Sequence, residues 1–338
     1  MDLNTIWFIL IIAILTGYAI LDGFDFGVGI LHLFNKGDDD RRLSINSIGP
    51  LWDGNEVWLV VGGGALFAAF PEVYATVFSG FYNAFILLLV MLIFRGVAIE
   101  FRSKRDHPRW RKGWDICFFT GSLGSALIFG LAFGNLAQGI PLDAKKNVTS
   151  GFLELINPYS LLVALTAVSL LTLHGAIFLI MKTEGSMQER ILKKLKPLIF
   201  IFLFFYAATT ISTFIFQPHL LEVFESNLWT VIFPVMTLLL VLNIPREIHL
   251  KREFRAFLST SGTIALLICL IAIGIFPNIV FSDPNPQNSL NIYNSASTKS
   301  TLTTMLIMAC IGAPLVLTYT VVIYWVFRGK VKLDKHSY

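Results

Sequence analysis

Two carboxylates, Asp53 and Glu56, open an apolar run within Gly49-Pro50-Leu51-Trp52-Asp53-Gly54-Asn55-Glu56-Val57-Trp58, which continues to Phe70. Three residues apart, they share one face of a helix. An acidic pair at the start of a bilayer-length segment is costly to bury. Two readings stand: first-turn acids that offset the helix dipole, or groups that handle protons. Other ionisable groups flank neighbouring apolar runs, namely Asp22 and Asp25 after the first and Arg95 and Glu100 near the end of the third. Arg95 follows nine apolar residues, 86–94, and so sits deeper than a cation reaching for headgroups needs to. Glu100, five residues on, lies about 140° around the helix and is a poor partner for it. Arg95 is therefore expected to pair with Asp25 or Asp53. A row of carboxylates open to one aqueous side is a physical device for proton entry.

Other chemistries find little support. Of six histidines only His174 lies deep in an apolar run, and a lone buried histidine reads as a hydrogen-bonded packing residue before it reads as a haem ligand. Cys117, Cys269 and Cys310 fall in separate apolar segments without metal or haem-attachment spacing. No phosphate loop, nucleophile constellation or metal-ligand cluster is present, and nucleic acid is not an expected partner.

The elements that must position these groups are membrane helices. Hydrophobic residues make up 55% of the 338 and charged ones 14%, with mean hydropathy +0.70, which excludes a soluble domain. Runs long enough for a hydrocarbon core of about 30 Å fall at 4–21, 52–70, 73–101, 114–136, 156–181, 197–216, 228–245, 257–280 and 302–327. The expectation is an all-α polytopic protein of nine spans. The first run lacks the basic flank and cleavage site of a signal peptide.

Alternating the connectors puts 22 of the 26 Lys and Arg residues on one side, with Lys145, Lys146 and Lys299 opposite and Arg95 inside a span. The N-terminus is then outside and the C-terminus, with Lys335 and His336, cytoplasmic. The loop 22–51 becomes cytoplasmic. Within it a short helix is expected to turn Leu43, Ile45 and Ile48 inward, with Asp38, Asp39 and Asp40 as a solvated start. Small residues at Gly62-Gly63-Gly64, Gly121 to Ser125 and Gly130 to Gly134 allow close helix approach.

Several long motifs then carry a family likeness. Asp22-Gly23-Phe24-Asp25-Phe26-Gly27-Val28-Gly29, the stretch from Ile45 to Trp58, Gly63 to Pro71, Phe94-Arg95-Gly96-Val97-Ala98-Ile99-Glu100-Phe101-Arg102, and Ala132 to Gly139 closely resemble subunit II of the cytochrome bd quinol oxidases. The likeness is dense over 18–140 and is kept in register later by Asn157-Pro158-Tyr159, Met181 to Gly185 and the region Tyr319 to Tyr324.

The resemblance implies two four-helix bundles, at 1–140 and 141–281, and a peripheral ninth helix at 282–338, in a bacterial cytoplasmic (inner) membrane. It implies a subunit that binds no haem itself, paired with a subunit I that holds two b-type haems, one d-type haem and the quinol site. The complex would oxidise quinol, reduce O2 to water and take protons from the cytoplasm, building a gradient without pumping. Asp53 matches an aspartate of the family's cytoplasmic proton channel, and Asp25 and Arg95 match charged positions near it. Glu56, Glu100, Asp22 and Asn46 complete the expected route, and Trp58 matches a tryptophan at the mouth of an oxygen path. The resemblance also allows small single-helix accessory subunits, surrounding lipid and a structurally held quinone. The rival reading of the same charges is a proton-coupled transporter or channel.

Overall fold

The computed structural model describes residues 2–333; Lys335 and His336 lie outside them. Twelve α-helices account for most of the described chain. They are α1 (Leu3–His32), α2 (Gly37–Ile48), α3 (Trp52–Ala69), α4 (Pro71–Gly80), α5 (Tyr82–Phe101), α6 (Pro108–Gln138), α7 (Pro158–Lys182), α8 (Gly185–Phe216), α9 (Glu222–Ser226), α10 (Ile232–His249), α11 (Glu253–Ile275) and α12 (Lys299–Val326). Local chemistry sets their ends. Asp2 accepts the Thr5 N–H at 2.8 Å to cap α1, and Asn157 and Ser160 cap α7 reciprocally with Pro158 in its first turn. Gly185 enters α8 at φ +64°, a conformation glycine adopts without strain.

Nine of these helices fall on the nine expected spans. Eight are long and apolar enough to cross a membrane, and the chain is a multi-pass membrane protein. The ninth, α3, has 18 residues, about 27 Å at 1.5 Å per residue; Asp53, Glu56 and four glycines dilute its apolar character. One end gathers the start of α1, the end of α3, the start of α12 and the loops 139–157 and 276–298. Trp7 Nε1 donates to the Leu302 carbonyl there, and Ser297 N–H to that of Ala69. A short antiparallel ribbon, Asn278–Val280 with Leu290–Asn291, covers this end. In the exposed loop beside it, Asn147 and Lys145 N–H groups donate to Asp143 and hold its carboxyl below the usual range. The other end gathers α2 and most of the basic residues.

Three sequence expectations change. The first span does not stop at residue 21: α1 continues unbroken to His32, because 22–31 is apolar or glycine apart from its two acids, and both acids are fully buried. The loop 22–51 thus reduces to the turn before α2 and the turn after it. The span 73–101 is two helices, α4 and the 20-residue α5, broken at Phe81 after Gly80; Thr76 on α4 donates to the Lys146 carbonyl. The last part of 257–280 is not helix, since α11 ends at Ile275 and the ribbon begins at Asn278.

The short helix 37–48 forms as expected, with Ile45 and Ile48 buried and Leu43 packed beside them. α1 is central, packing on α3, α6, α7 and α11, whereas α12 is peripheral, resting mainly on α1 and α3 with only Leu302 buried. α1 crosses α7 backbone to backbone. A Cβ at Gly27 would lie 2.0 Å from the Leu171 carbonyl oxygen, and one at Gly175 2.5 Å from the Gly27 backbone. Gly130 and Gly134 likewise bring α6 onto the backbone of Ala164 and Ser160, the packing use expected of that pair.

Candidate functional site

The charged residues singled out by the sequence converge on the inner face of α1. Asp22 and Asp25, one turn apart, carry Tyr18 one turn earlier on the same face. α5 brings Arg95 to them, and its close approach needs Gly121 of α6, where a Cβ would sit 2.5 Å from the Met91 carbonyl oxygen and 2.8 Å from the Arg95 nitrogen. The Arg95 guanidinium is fully buried. It donates to Asp22 at 2.6 Å and to Glu56 at 3.2 Å, and its carbon lies 4.4 Å over the Phe26 ring.

The expected pairing of Arg95 with Asp25 or Asp53 is therefore corrected. Asp53 points from the exposed side of α3, whereas Glu56, three residues on, is rotated inward far enough to reach the guanidinium. Asp25 is held by a different donor. Asn55 Nδ2 gives it a hydrogen bond of 2.9 Å and the Leu21 carbonyl one of 3.0 Å, while Asn55 Oδ1 accepts from the Tyr324 hydroxyl of α12 at 3.0 Å.

Three carboxylates thus surround one buried guanidinium. One oxygen each of Asp22 and Asp25, and the Tyr18 hydroxyl, are buried without a hydrogen-bond partner. Buried acids in excess of their cations are stable only with bound protons or polar company. The arrangement suits proton holding and transfer. Glu56, with a quarter of its side chain exposed, stands between the exposed Asp53 and the sealed Asp22 and Asp25.

A second ion network lies at the end of α1 and was missed in the sequence. Asp115 of α6, almost fully buried, accepts from Arg102 at 2.5 Å and Arg41 at 2.7 Å and bonds the His32 ring at 2.6 Å. Asp38 bridges Arg102 and Arg111, and Asp40 takes Arg190 of α8. The acidic run 38–40 is thus more than a solvated helix start: Asp39 is exposed and Asp38 half-exposed, but Asp40 is buried against Arg190. The signal was Asp115 itself, a lone acid at the second position of the run 114–136; its partners are too far along the chain to be read from spacing.

The other expected residues lie around this core. Asn46 sits on α2 and donates to the Arg42 carbonyl; Glu100 stands in the last turn of α5. Trp58 lies half-buried along the α1–α3 seam, its ring where a Gly17 Cβ would come within 2.8 Å, beside Tyr18 and Phe26. His174 has both ring nitrogens engaged, by Thr260 Oγ1 at 2.7 Å and the Ile20 carbonyl at 3.2 Å, and stacks on Phe257. A ring so bonded does not fit an axial haem ligand. Among the described residues no group of three His, Cys, Asp or Glu side chains could hold a metal ion.

Comparison with known proteins agrees over the whole length. A family model for cytochrome bd terminal oxidase subunit II matches residues 3–327. The chain is 36% identical to a probable cytochrome oxidase subunit 2 of Haemophilus influenzae, covering 99% of this chain and 98% of that one. It is 36% identical to the cytochrome bd-I ubiquinol oxidase subunit 2 of Escherichia coli K12, with 97% and 95% covered. A third relative, the cytochrome bd ubiquinol oxidase subunit 2 of Bacillus subtilis, is 35% identical, with 98% and 97% covered. The fold is similar to a chain in the structure of bd oxidase from Geobacillus thermodenitrificans, with TM-score 0.80 over 97% of this chain and 99% of that one at 17% identity. This chain belongs to the cytochrome bd terminal oxidase subunit II family, the oxidoreductase subunits whose motifs its sequence carries.

Proposed function

We propose that the chain is the haem-free partner of a haem-bearing subunit I in a quinol:O2 oxidoreductase of a bacterial inner membrane, and that it supplies a proton route from the cytoplasmic side. The observation that carries the proton route is the graded burial of one connected set of acids, from exposed Asp53 through Glu56 to Asp22 and Asp25, around Arg95. A proton taken up at Asp53 passes to Glu56 one turn away and on to the buried pair, while Arg95 keeps the excess negative charge tolerable between transfers. Glu100 and Asn46 lie toward the same end and belong to its entrance.

Haems in the partner supply the electron path from quinol to dioxygen. The apolar seam beside Trp58 is the proposed oxygen route, and two bundles, 1–140 and 141–281, with α12 outside them, form the scaffold. The sealed nitrogens of His174 support a subunit without its own haem.

The test is the complex purified gently from its native membrane. Copurification of a haem-bearing membrane partner with quinol-dependent oxygen consumption is expected; a chain isolated with neither sinks the oxidase reading and favours a transporter. Asp53→Asn, which removes the titratable group and keeps the shape, is expected to slow turnover by up to about 10²-fold while the haem spectrum stays unchanged. Lost haem together with lost activity would make Asp53 an assembly residue instead.

A further inference from the structure

Asn55 donates to Asp25 and accepts from Tyr324, and the proton route as described uses neither Asn55 nor Tyr324. Three distances fix how the Asn55 amide stands. One side faces the Leu21 carbonyl at 3.0 Å and Asp25 Oδ2 at 2.9 Å; the other faces the Tyr324 hydroxyl at 3.0 Å. A peptide carbonyl only accepts, so the amide atom facing Leu21 and Asp25 is the nitrogen. The oxygen must then accept from Tyr324. Both amide hydrogens are committed, and Asp25 Oδ2 carries a donor at all times. Oδ1, buried without a donor, is the Asp25 oxygen left open to take up a proton.

Tyr324 also has a place in the packing that makes it more than a filler. α12 rests lightly on the rest of the chain, with Leu302 its only buried residue. At the end remote from Leu302, Tyr324 enters the core, its ring edge-on to Phe24 at 6.4 Å. It is the link from α12 to the charged cluster.

We propose that Tyr324 and Asn55 are positioning residues for Asp25: the hydroxyl locks the amide, the amide holds an N–H on the carboxylate, and the seating of α12 thereby sets how readily Asp25 exchanges its proton. This rests on the proton-route reading above. The charged groups bearing on Asp25 are Asp22 on its own helix and Arg95 of α5, with Glu56 of α3 joined through Arg95 and Tyr324 of α12 through Asn55. His174 of α7, nearest along that helix, has both nitrogens occupied by Thr260 of α11 and the Ile20 carbonyl. The ionisable Asp115 of α6 belongs to the His32 network.

The experiment is the pH profile of quinol-dependent oxygen consumption by the whole complex, normalised to haem content. Tyr324→Phe keeps the ring and removes the donor on the Asn55 oxygen, so the amide is held only on its Leu21 and Asp25 side and its N–H rests less firmly on Asp25. The anion is then less well supported, and the limb of the profile governed by this acid is expected to move to higher pH by up to about one unit, the scale of one hydrogen bond to a charged group. Asn55→Leu is expected to move it the same way, and the double variant no further than Asn55→Leu alone, because the hydroxyl acts through the amide.

A Tyr324→Phe profile that coincides with the parent overturns the role of Tyr324. Additive shifts in the double variant overturn the route through Asn55. A Tyr324→Phe chain that fails to assemble also counts against the proposal, since the hydroxyl would then be architectural. Asp25→Asn separates the two layers: if that variant turns over with the parent's profile, the proton-route reading itself has failed, whatever Tyr324 does.

Discussion

At the scale of the residue, Arg95 decides whether the site exists. It is fully buried, carries the single positive charge among Asp22, Asp25 and Glu56, and lies over Phe26. Replacing it by leucine leaves Asp22 sealed from water without its cation. Removing one partner of a buried ion pair costs about 3–5 kcal/mol, a large share of the roughly 5–15 kcal/mol by which folded domains are stable. Arg95→Leu is therefore expected to lower the yield of assembled complex sharply, and Arg95→Leu with Asp22→Asn and Glu56→Gln to recover much of it, because the stranded charges go with the arginine. Yield is measured as haem-containing complex per cell membrane; an Arg95→Leu complex formed at the parental level would break the pairing. Arg95 and its acids were legible as unusual charges in apolar runs, but their pairing was not. Which of Asp22 and Asp25, or of Asp53 and Glu56, meets the arginine depends on helix rotation, and rotation is set by crossings that local spacing does not contain.

At the scale of the element, those crossings depend on glycine. α1 meets α7 where Gly27 and Gly175 face one another, and an added methyl at either would enter the opposite backbone. Backbone cannot swing aside as a flexible side chain can. Gly175→Ala is thus expected to push α7 from α1, at an overpacking cost of about 1–3 kcal/mol or more, and to lower the midpoint of thermal unfolding of the complex. Gly63→Ala on α3, where nothing in this chain lies within 4 Å, is the internal comparison and should leave the midpoint of the complex within error. Equal effects from the two would show that helix separation is not what Gly175 protects.

The sequence signalled the glycine pair in α6 by its four-residue spacing. The Gly27–Gly175 contact joins helices far apart in the chain, and no spacing announces it. Helix ends were legible where breakers stand, as at Pro71 and Pro158. They were misjudged where charge was taken for an end, because the acids at 22 and 25 are inside α1, each neutralised or solvated by partners from α3 and α5.

At the scale of the whole molecule, the two ends differ in charge, and that difference predicts how the protein sits in its membrane. The end built from α2, the α5–α6 turn, the α7–α8 turn, the α10–α11 turn and the tail after α12 holds nearly all the lysines and arginines, several in ion pairs that cross elements, such as Arg190 with Asp40 and Lys330 with Glu253. The other end has Lys145, Lys146 and Lys299. Membrane insertion retains basic connectors in the cytoplasm. The basic end is therefore expected inside, which also puts Asp53 within reach of cytoplasmic protons.

A cysteine placed at each end reads this directly. In a chain whose Cys117, Cys269 and Cys310 are replaced by alanine, Lys145→Cys should react with a membrane-impermeant maleimide on intact cells from which any outer membrane has been removed. Lys193→Cys should react only after the inner membrane is opened. Both positions are exposed, so a silent site reports sidedness and not burial. The reverse pattern would turn the molecule over. It would place the acids of α3 on the outer face and leave the proton route drawing from the side where a gradient-building oxidase must not take its protons.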